Sequence, residues 1–260
     1  MFEPRVRLRP GIRISERSGT TLQVGLHPGQ RLVLPDDPTV RGALALLGHG
    51  VEPRRLDPEL LRRLTEALLL TDPDHDAVRS KARGQARVEV VAPGAVRGAL
   101  FRMLGEAGVH EAARPAAAIA VVVVVTIGAE PRREAVDALV QADRPHLLLT
   151  AVAGRLRVGP FVVPGLTACL RCLDAHLTDR DPRHPLVVEQ HLAVDPADGP
   201  APAELQLALA WAVRDVVALI GGERPTTWSA TVDLEPGGPL TQRWQRHPGC
   251  GCAWGDALAG

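Results

Sequence analysis

Residues 144–172 have the sequence RPHLLLTAVAGRLRVGPFVVPGLTACLRC, and three features follow one another along this stretch. The apolar run HLLLTA (146–151) predicts a buried strand, and residues 155–163 predict a hairpin. Cys169 and Cys172 then end the stretch with two residues between them. A second close pair, Cys250 and Cys252, lies much further along the chain, and these are all the cysteines that the sequence contains.

The spacing of the cysteines predicts a metal site. A tetrahedral zinc ion takes four soft ligands, and two short-spaced pairs brought together by the fold supply them. We therefore expect zinc to be bound by Cys169, Cys172, Cys250 and Cys252, with His247 able to replace one thiolate. Because four thiolates leave no open position for water, this zinc would be structural. The alternatives are four unrelated thiols, or a disulfide between Cys169 and Cys172.

The composition excludes several classes of protein. The 260 residues carry 30 basic and 30 acidic side chains, so the basic excess typical of nucleic-acid-binding proteins is absent. The N-terminus lacks the apolar core of a signal peptide. The longest apolar run, residues 116–127, falls short of the roughly 20 residues that a membrane span needs. We expect a cytoplasmic protein with neither nucleic acid nor membrane as a partner.

Residues 86–260 have the pattern of an α/β domain. Strands are predicted at residues 87–92, in the valine-rich run up to residue 127 and at residues 146–151, with helices at residues 96–107 and 132–141 between them. Such alternation favours a doubly wound parallel sheet. A helix at residues 203–220, apolar nearly all round, and a strand near residues 228–234 follow; the helix would be buried core or a dimer interface.

Residues 1–80 form a separate, smaller unit in this interpretation. Two alternating segments, residues 12–15 and 21–24, predict a hairpin around Ser18-Gly19, and a third strand comprises Arg31, Leu32, Val33 and Leu34. Helices are predicted to begin after Asp37 and after Asp57, the second of them ending near Thr71. Three strands followed by helices is the order of a winged helix. Residues 72–85 are polar without apolar periodicity, which predicts a linker.

The expected nucleotide-binding turn is degenerate. The first strand of a doubly wound domain should lead into G-x-G-x-x-G, but the corresponding positions hold Ala92, Gly94 and Arg97. Glu111 is the candidate for the acidic ribose-binding residue, and Arg97 is either a phosphate ligand or a solvated side chain. We expect this site to be vestigial, without bound ATP. The segment 174–191, rich in His, Asp and Arg, is a possible site or metal ligand set, but we favour a solvated loop.

At this point a family resemblance is visible. Residues 144–172, together with the distant cysteine pair, resemble the ThiF/MoeB-like adenylating fold. The segments GPFVVPGLTACLRCLDAHLTDRDPRHP (159–185) and HPGCGCAW (247–254) are similar to a divergent branch, the ThiF-like cyclodehydratase partner proteins found with YcaO enzymes. Those proteins take part in the biosynthesis of azole-containing ribosomal peptides.

The first unit carries a second resemblance. GIRISERSGTTLQVGLHPGQRLVL (11–34) is similar to the PqqD-like winged-helix domain with which such proteins recognise a leader peptide. The resemblance implies that the leader adds as a strand to the third strand and packs on the last helix. Carried onto this sequence, the peptide-binding residues are Arg31, Leu32, Val33, Leu34, Leu61, Leu64 and Leu68.

The resemblance implies a binding role. We expect a non-catalytic scaffold that docks a precursor leader peptide and a YcaO-type enzyme, as a homodimer, with ATP-dependent chemistry left to the partner. The sequence departs from the adenylating relatives in one respect, because no catalytic cysteine remains once four cysteines are assigned to zinc. One alternative is a ThiF-like adenylyltransferase that activates a carboxylate with ATP. A second is a zinc-containing winged-helix regulator.

Overall fold

The computed structural model of the protein describes residues 5–112, 119–193 and 199–253. The chain separates into two compact units, residues 1–80 and residues 81–260. In the described part of the chain, no helix has the length and apolar character that crossing a membrane requires. The predicted apolar run begins at residues 116–118, which lie outside the described residues, as does Trp254.

The first unit contains five short strands and three helices. They are β1 (Arg7–Leu8), β2 (Ile14–Ser18), β3 (Thr21–Val24), β4 (Leu32–Pro35), α1 (Pro38–His49), α2 (Pro58–Glu66), β5 (Leu70–Thr71) and α3 (Pro73–Gln85). A short 3-10 helix, Pro53–Arg55, lies between α1 and α2. Both predicted helix starts are confirmed, because the carboxylates of Asp37 and Asp57 accept hydrogen bonds from the first backbone amides of α1 and α2.

The predicted end of the second helix was wrong, and the predicted linker is helical. Helix α2 ends at Glu66 rather than near Thr71, since Leu68 adopts a left-handed φ of 55° and the chain then enters β5, which pairs with β1. Residues 73–85 of the predicted linker form the helix α3, whose first amides bond to the Asp72 carboxylate, and the boundary between the two compact units falls within this helix. None of the α3 side chains is buried, and the helix therefore lacks the apolar periodicity that would have identified it.

The core of the first unit lies between its sheet and its helices. Strands β2, β3 and β4 pair antiparallel in that order, so β4 is an edge strand of this three-stranded sheet. Alternate residues of β3 and β4 point into the core, as the period of two in a strand requires. The main buried side chains are Leu22, Val24, Leu34, Leu44, Leu47, Leu60, Leu64 and Leu69.

The second unit is built around one large sheet. Its elements are β6 (Arg87–Val91), α4 (Gly94–Glu106), β7 (His110–Glu111), β8 (Val121–Ile127), α5 (Arg133–Gln141), β9 (His146–Val152), β10 (Arg155–Val162), α6 (Leu170–Arg180), α7 (His184–Gln190), α8 (Pro202–Ile220), β11 (Ala230–Glu235) and β12 (Gly238–Arg243). The alternation of strands and helices predicted for residues 87–151 is confirmed.

The sheet is mixed rather than wholly parallel. Seven strands lie in the order β12-β11-β10-β9-β8-β6-β7; the pairs among β6, β7, β8 and β9 are parallel, and the remaining three pairs are antiparallel. The predicted hairpin at residues 155–163 was wrong: this segment is the single strand β10, paired with β9 across a turn at Ala153 and Gly154.

Both faces of the sheet are covered by helices. Val123 and Leu149 lie on one face, in a core shared with α4 and α8. Their neighbours Val124 and Leu148 lie on the other face, with Val136 of α5 and Leu170 of α6. Because alternate side chains of each strand enter opposite cores, strands buried on both sides appear as continuous apolar runs. This arrangement places α6, which begins immediately after Cys169, against the sheet.

A buried carboxylate joins helix α8 to the loop that follows it. Asp215 is fully buried, and its oxygens accept hydrogen bonds from the Thr226 amide (3.0 Å), the Thr227 amide (2.8 Å) and the hydroxyls of both threonines. Four donors around one ionised group offset the cost of burying it. Asp215 therefore fixes the path of the chain from α8 into β11.

We expect Asp215→Ala to lower the free energy of unfolding by about 3 kcal/mol, because the substitution removes charge-assisted bonds and leaves buried amides without an acceptor. Urea denaturation followed by circular dichroism measures this loss. Gln206→Ala, at an exposed position of the same helix, is the matched control and should change stability by less than about 0.5 kcal/mol. Equal stability of the two variants would show that the Asp215 bonds are not a structural requirement.

Candidate metal centre

The four cysteines converge at one point of the second unit. The Cys169 sulfur lies 3.7 Å from that of Cys172 and 3.6 Å from that of Cys250, and the Cys172 sulfur lies 3.4 Å from that of Cys252. All four sulfurs lie within 4.8 Å of one another. The alternative of four unrelated thiols is therefore wrong. The sulfur separations also exceed the roughly 2 Å of a disulfide bond, and all four cysteines are free.

The first cysteine pair is positioned by the start of α6. After β10 the chain turns through Val163, whose amide donates to the Thr167 hydroxyl, and the Ala168 amide donates to the Ser229 hydroxyl next to β11. Cys169 is the N-cap residue of α6 and Cys172 lies in its first turn, with the Cys172 amide bonded to the Cys169 carbonyl. Both sulfurs consequently point to the same side of the helix start.

Two ion pairs hold α6 on its neighbour α5. Arg133 of α5 is buried and donates two hydrogen bonds, of 3.0 and 2.8 Å, to the carboxylate of Asp174. Arg171 donates in turn to Asp137 of α5, with a shortest distance of 2.8 Å. The bidentate geometry of such pairs restricts rotation as well as separation. Helix α6, and with it the first cysteine pair, is thereby fixed relative to the sheet.

The second pair is positioned by the segment after β12. Trp244 is buried beside the cysteines, and its indole nitrogen donates to the Thr231 hydroxyl of β11 at 3.0 Å. The Cys250 amide bonds to the His247 carbonyl, and the Arg246 guanidinium bonds to the Cys252 carbonyl. These contacts turn the chain back so that Cys250 and Cys252 face the start of α6.

The close approach of the thiols shifts the pKa values of Cys169, Cys172 and Cys252 in different directions. A hydrogen bond from Cys169 lowers the pKa of Cys172 to about 4. The same bond raises the pKa of Cys169, whereas burial raises the pKa of Cys252 to about 12. A divalent cation would remove this conflict, because thiolates are the metal-binding form.

The sulfur geometry suits a tetrahedral metal ion. With metal–sulfur bonds of about 2.3 Å, a regular tetrahedron has sulfur–sulfur edges of about 3.8 Å. Three of the sulfur–sulfur separations, between 3.4 and 3.7 Å, are close to that value. The residues present therefore fit a zinc ion held by sulfur alone, and His247 is not needed as a ligand.

His247 has a different task in the structure. Its Nδ1 atom accepts a hydrogen bond from the Gly249 amide at 3.0 Å, so the proton of the neutral ring lies on Nε2, which contacts the Asp179 carboxylate at 2.9 Å. His176 bonds to the Gln245 carbonyl at 2.9 Å. Together, Asp179 and His176 of α6 anchor the segment that carries the second cysteine pair. His176, Asp179 and His247 lie close enough together to bind a metal ion. Their hydrogen bonds within the protein explain this arrangement without one.

Arg97 and Glu111, the two charged residues considered for the degenerate nucleotide site, contact each other. Pro93 is the N-cap residue of α4, and no side chain caps this helix. The Arg97 guanidinium forms an ion pair with Glu111 and lies 4.9 Å from the centre of the Phe101 ring. The two charged side chains considered for phosphate and ribose are thus paired with one another.

The segment 174–191 is helical over much of its length, so the solvated-loop interpretation was wrong. It forms most of α6 and all of α7. Together with strands β9 and β10, these helices line a cavity of about 240 Å³, which includes Glu130, Thr150, Arg157, His184 and His191. The repeated prolines and charged residues hid the helices, because α7 buries no residue completely.

The predicted peptide-binding residues lie in different environments. Leu34 and Leu64 are enclosed in the core of the first unit, so their side chains are not at its surface. Leu32, Val33 and Leu61 are half-buried, whereas Arg31 and Leu68 are exposed. Arg31 precedes β4 rather than belonging to it. Sequence reasoning missed Arg63, which donates to the Val33 carbonyl; its spacing of two from Leu61 carried no signal.

No protein-family model matches the chain, and no curated protein does so either. Solved structures do match. A heterocyclase in complex with substrate and cofactor has a TM-score of 0.70 at 18% identity, over 96% of this chain and 39% of that one. The heterocyclase TruD gives 0.69 at 19% identity, over 96% and 43%. E. coli MccB, solved with SeMet MccA, gives 0.65 at 14% identity, over 96% and 99%. The chain shares their fold.

The ThiF-like fold expected from residues 144–172 is thereby confirmed. The identities are all below 20%, so the likeness is one of fold. The chain spans about two fifths of the length of the two heterocyclases but matches MccB over nearly its whole length.

We expect His247→Ala to loosen the segment that carries Cys250 and Cys252, because it removes two hydrogen bonds worth about 1 kcal/mol each. Amide hydrogen exchange at Gly249 and Cys250 should become at least about fivefold faster. Gln245→Ala is the control, since His176 bonds to the Gln245 backbone carbonyl and not to its side chain. Unchanged exchange in His247→Ala would mean that the ring does not anchor this segment.

Proposed function

We propose that this chain is a zinc-stabilised, non-catalytic partner protein in the modification of ribosomal peptides, binding a precursor leader peptide and a YcaO-type cyclodehydratase. The observation that carries the proposal is the match to two heterocyclases over 96% of the chain, which includes residues of both units.

Zinc is the structural cofactor in this proposal. The four sulfurs of Cys169, Cys172, Cys250 and Cys252 have the separations of a tetrahedral site. Cys169, Cys172 and Cys250 are buried and Cys252 is half-buried, and four thiolates would fill the coordination sphere of the ion. The zinc would cross-link two distant parts of the second unit and take no part in a reaction.

The first unit is the proposed peptide-binding module. Its three-stranded sheet of β2, β3 and β4 precedes α1 and α2, which supports the proposal of a PqqD-like winged helix, and β4 lies at an edge of that sheet. An extended peptide that pairs with this edge gains main-chain hydrogen bonds, and side chains next to α2 supply selectivity. The half-buried side chains of Leu32, Val33 and Leu61 remain candidates for contact with the peptide.

The chemical step is assigned to the partner enzyme. Two observations support this division: Arg97 and Glu111 satisfy each other at the degenerate turn, and this chain spans only about two fifths of the heterocyclases. The remaining length of those proteins would correspond to the enzyme with which this chain assembles. We propose that it does so in the cytoplasm and as a homodimer.

One observation favours a second function. MccB, which is also known in a structure with ATP, matches this chain over 99% of its own length in that structure as well, with a TM-score of 0.60 and 11% identity. An ATP-dependent adenylyltransferase is therefore the alternative. ATP binding separates the two proposals, because the paired Arg97 and Glu111 would have to part before either could contact a nucleotide.

Metal analysis of the purified protein should find one zinc ion per chain. Cys172→Ser should lose most of this zinc and unfold at a lower temperature, since a structural zinc site contributes several kcal/mol to folding. Ala175→Ser places a hydroxyl in the same helix, outside the ligand set, and should retain the metal. A zinc-free wild type whose four thiols titrate freely while it remains folded would contradict the zinc assignment.

The binding role is tested by affinity capture from the native cytoplasm, with mass spectrometry that covers enzymes and short peptides. We expect a YcaO-type enzyme, or a small precursor peptide bearing Cys, Ser or Thr, to be retained. Calorimetric titration with Mg-ATP should show no binding at millimolar concentration. Micromolar ATP binding together with failure to capture either partner would replace the scaffold by the adenylyltransferase.

A further inference from the structure

The open edge of β4 is partly occupied by a side chain of the same unit. The Asp36 amide donates to the Thr20 carbonyl at 2.9 Å, which makes residues 20 and 36 a hydrogen-bonded pair of the antiparallel ladder. Hydrogen-bonded and non-hydrogen-bonded pairs alternate along such a ladder. In the register of β3 and β4, Leu34 is therefore bonded to Leu22, whereas Val33, opposite Gln23, is not bonded to β3.

It follows that the amide and carbonyl of Val33 point to the open edge. Pro35, two residues further on, has the same orientation but has no amide hydrogen to donate. Val33 thus presents both polar groups that a strand added here would need. Its carbonyl, the acceptor for the incoming strand, already receives a hydrogen bond of 3.1 Å from the Arg63 guanidinium of α2.

Arg63 differs from the arginine beside it. Arg62 is exposed and its guanidinium is held by carboxylates, with two bonds to Glu59, of 2.9 and 2.6 Å, and one to Glu66, of 2.6 Å. Arg63 is half-buried and donates to a neutral carbonyl oxygen. A guanidinium in partly desolvated surroundings bonds more strongly to a carboxylate than to a carbonyl. The hydrogen bond from Arg63 to the Val33 carbonyl is therefore weaker than a bond from Arg63 to a carboxylate would be.

We propose that the β4 edge takes an extended peptide with a carboxylate side chain facing α2, and that this carboxylate draws Arg63 away from the Val33 carbonyl. The exchange frees the acceptor for the peptide main chain and gives the guanidinium an anionic partner. Arg63 is then a specificity-determining residue: it covers the edge in the free protein and selects acidic segments on binding. The inference rests on the proposed peptide-binding function of the first unit.

The test uses three fluorescein-labelled ten-residue peptides of alternating Val and Thr that differ at one central position, which is Glu, Gln or Lys. Fluorescence polarisation measures their binding to the full-length wild type and to Arg63→Ala and Arg62→Ala. We expect the Glu peptide to bind the wild type at least about tenfold more tightly than the Gln peptide. Arg63→Ala should abolish this preference, and Arg62→Ala should retain it.

Two results would overturn the proposal: equal binding of the Glu and Gln peptides to the wild type, or a preference that survives in Arg63→Ala. If no peptide binds to any of the proteins, peptide recognition at this edge loses its support, and the covering role of Arg63 is decided by sedimentation velocity. An uncovered strand edge pairs readily with another copy. Arg63→Ala should then form larger assemblies than wild type and Arg62→Ala do at the same concentration, and identical sedimentation of all three would reject the role.

Discussion

The convergence of four sulfurs constrains how the strands and helices of the second unit can be arranged. Cys169 and Cys250 are 81 residues apart in the chain, yet their sulfurs are 3.6 Å apart. Bringing them together requires β11 and β12 to pair beside β10 and Trp244 to pack against the start of α6. Closing a loop of this length costs about 4 kcal/mol of chain entropy. The hydrogen bonds of Asp215 and the ion pairs between α5 and α6 stabilise the second unit and help to offset this entropic cost.

The residues with distinctive chemistry could be predicted from the sequence, whereas the elements without it could not. Cysteine spacing identified the sulfur cluster, and apolar runs identified β8 and β9, because a strand buried on both faces has a continuous apolar sequence. Helix α3 and strand β12 contribute no buried residues, so neither shows a hydrophobic period. In β10, the interruption of the register between Val158 and Phe161 coincides with a Gly-Pro pair, which resembles a turn in the sequence.

The hydrophobic periodicity of the sequence does not predict which side chains contact one another. The leucine spacing of the predicted second helix made Leu61, Leu64 and Leu68 equal candidates for peptide binding. In the structure Leu64 is enclosed in the core, whereas Leu68 is exposed. The contrast between Arg97 and Arg63 depends wholly on tertiary contacts. Arg97 forms an ion pair with Glu111, whereas the guanidinium of Arg63 donates a hydrogen bond to the Val33 carbonyl and is available to a carboxylate ligand. Of these two arginines, only Arg63 is a candidate for binding a ligand, and their different partners could not be predicted from the sequence.

The distance along the chain between the two cysteine pairs also bears on biosynthesis. Cys169 and Cys172 leave the ribosome well before Cys250 and Cys252, at 5–20 residues per second some 4–16 seconds earlier. During that interval a nascent chain offers only half of the ligand set. Any ion captured early would be held by two thiolates and would exchange readily. All four sulfurs are present only once Cys252 has been synthesised, so the packing of the segment after β12 against the start of α6 is a late step in the folding of the second unit.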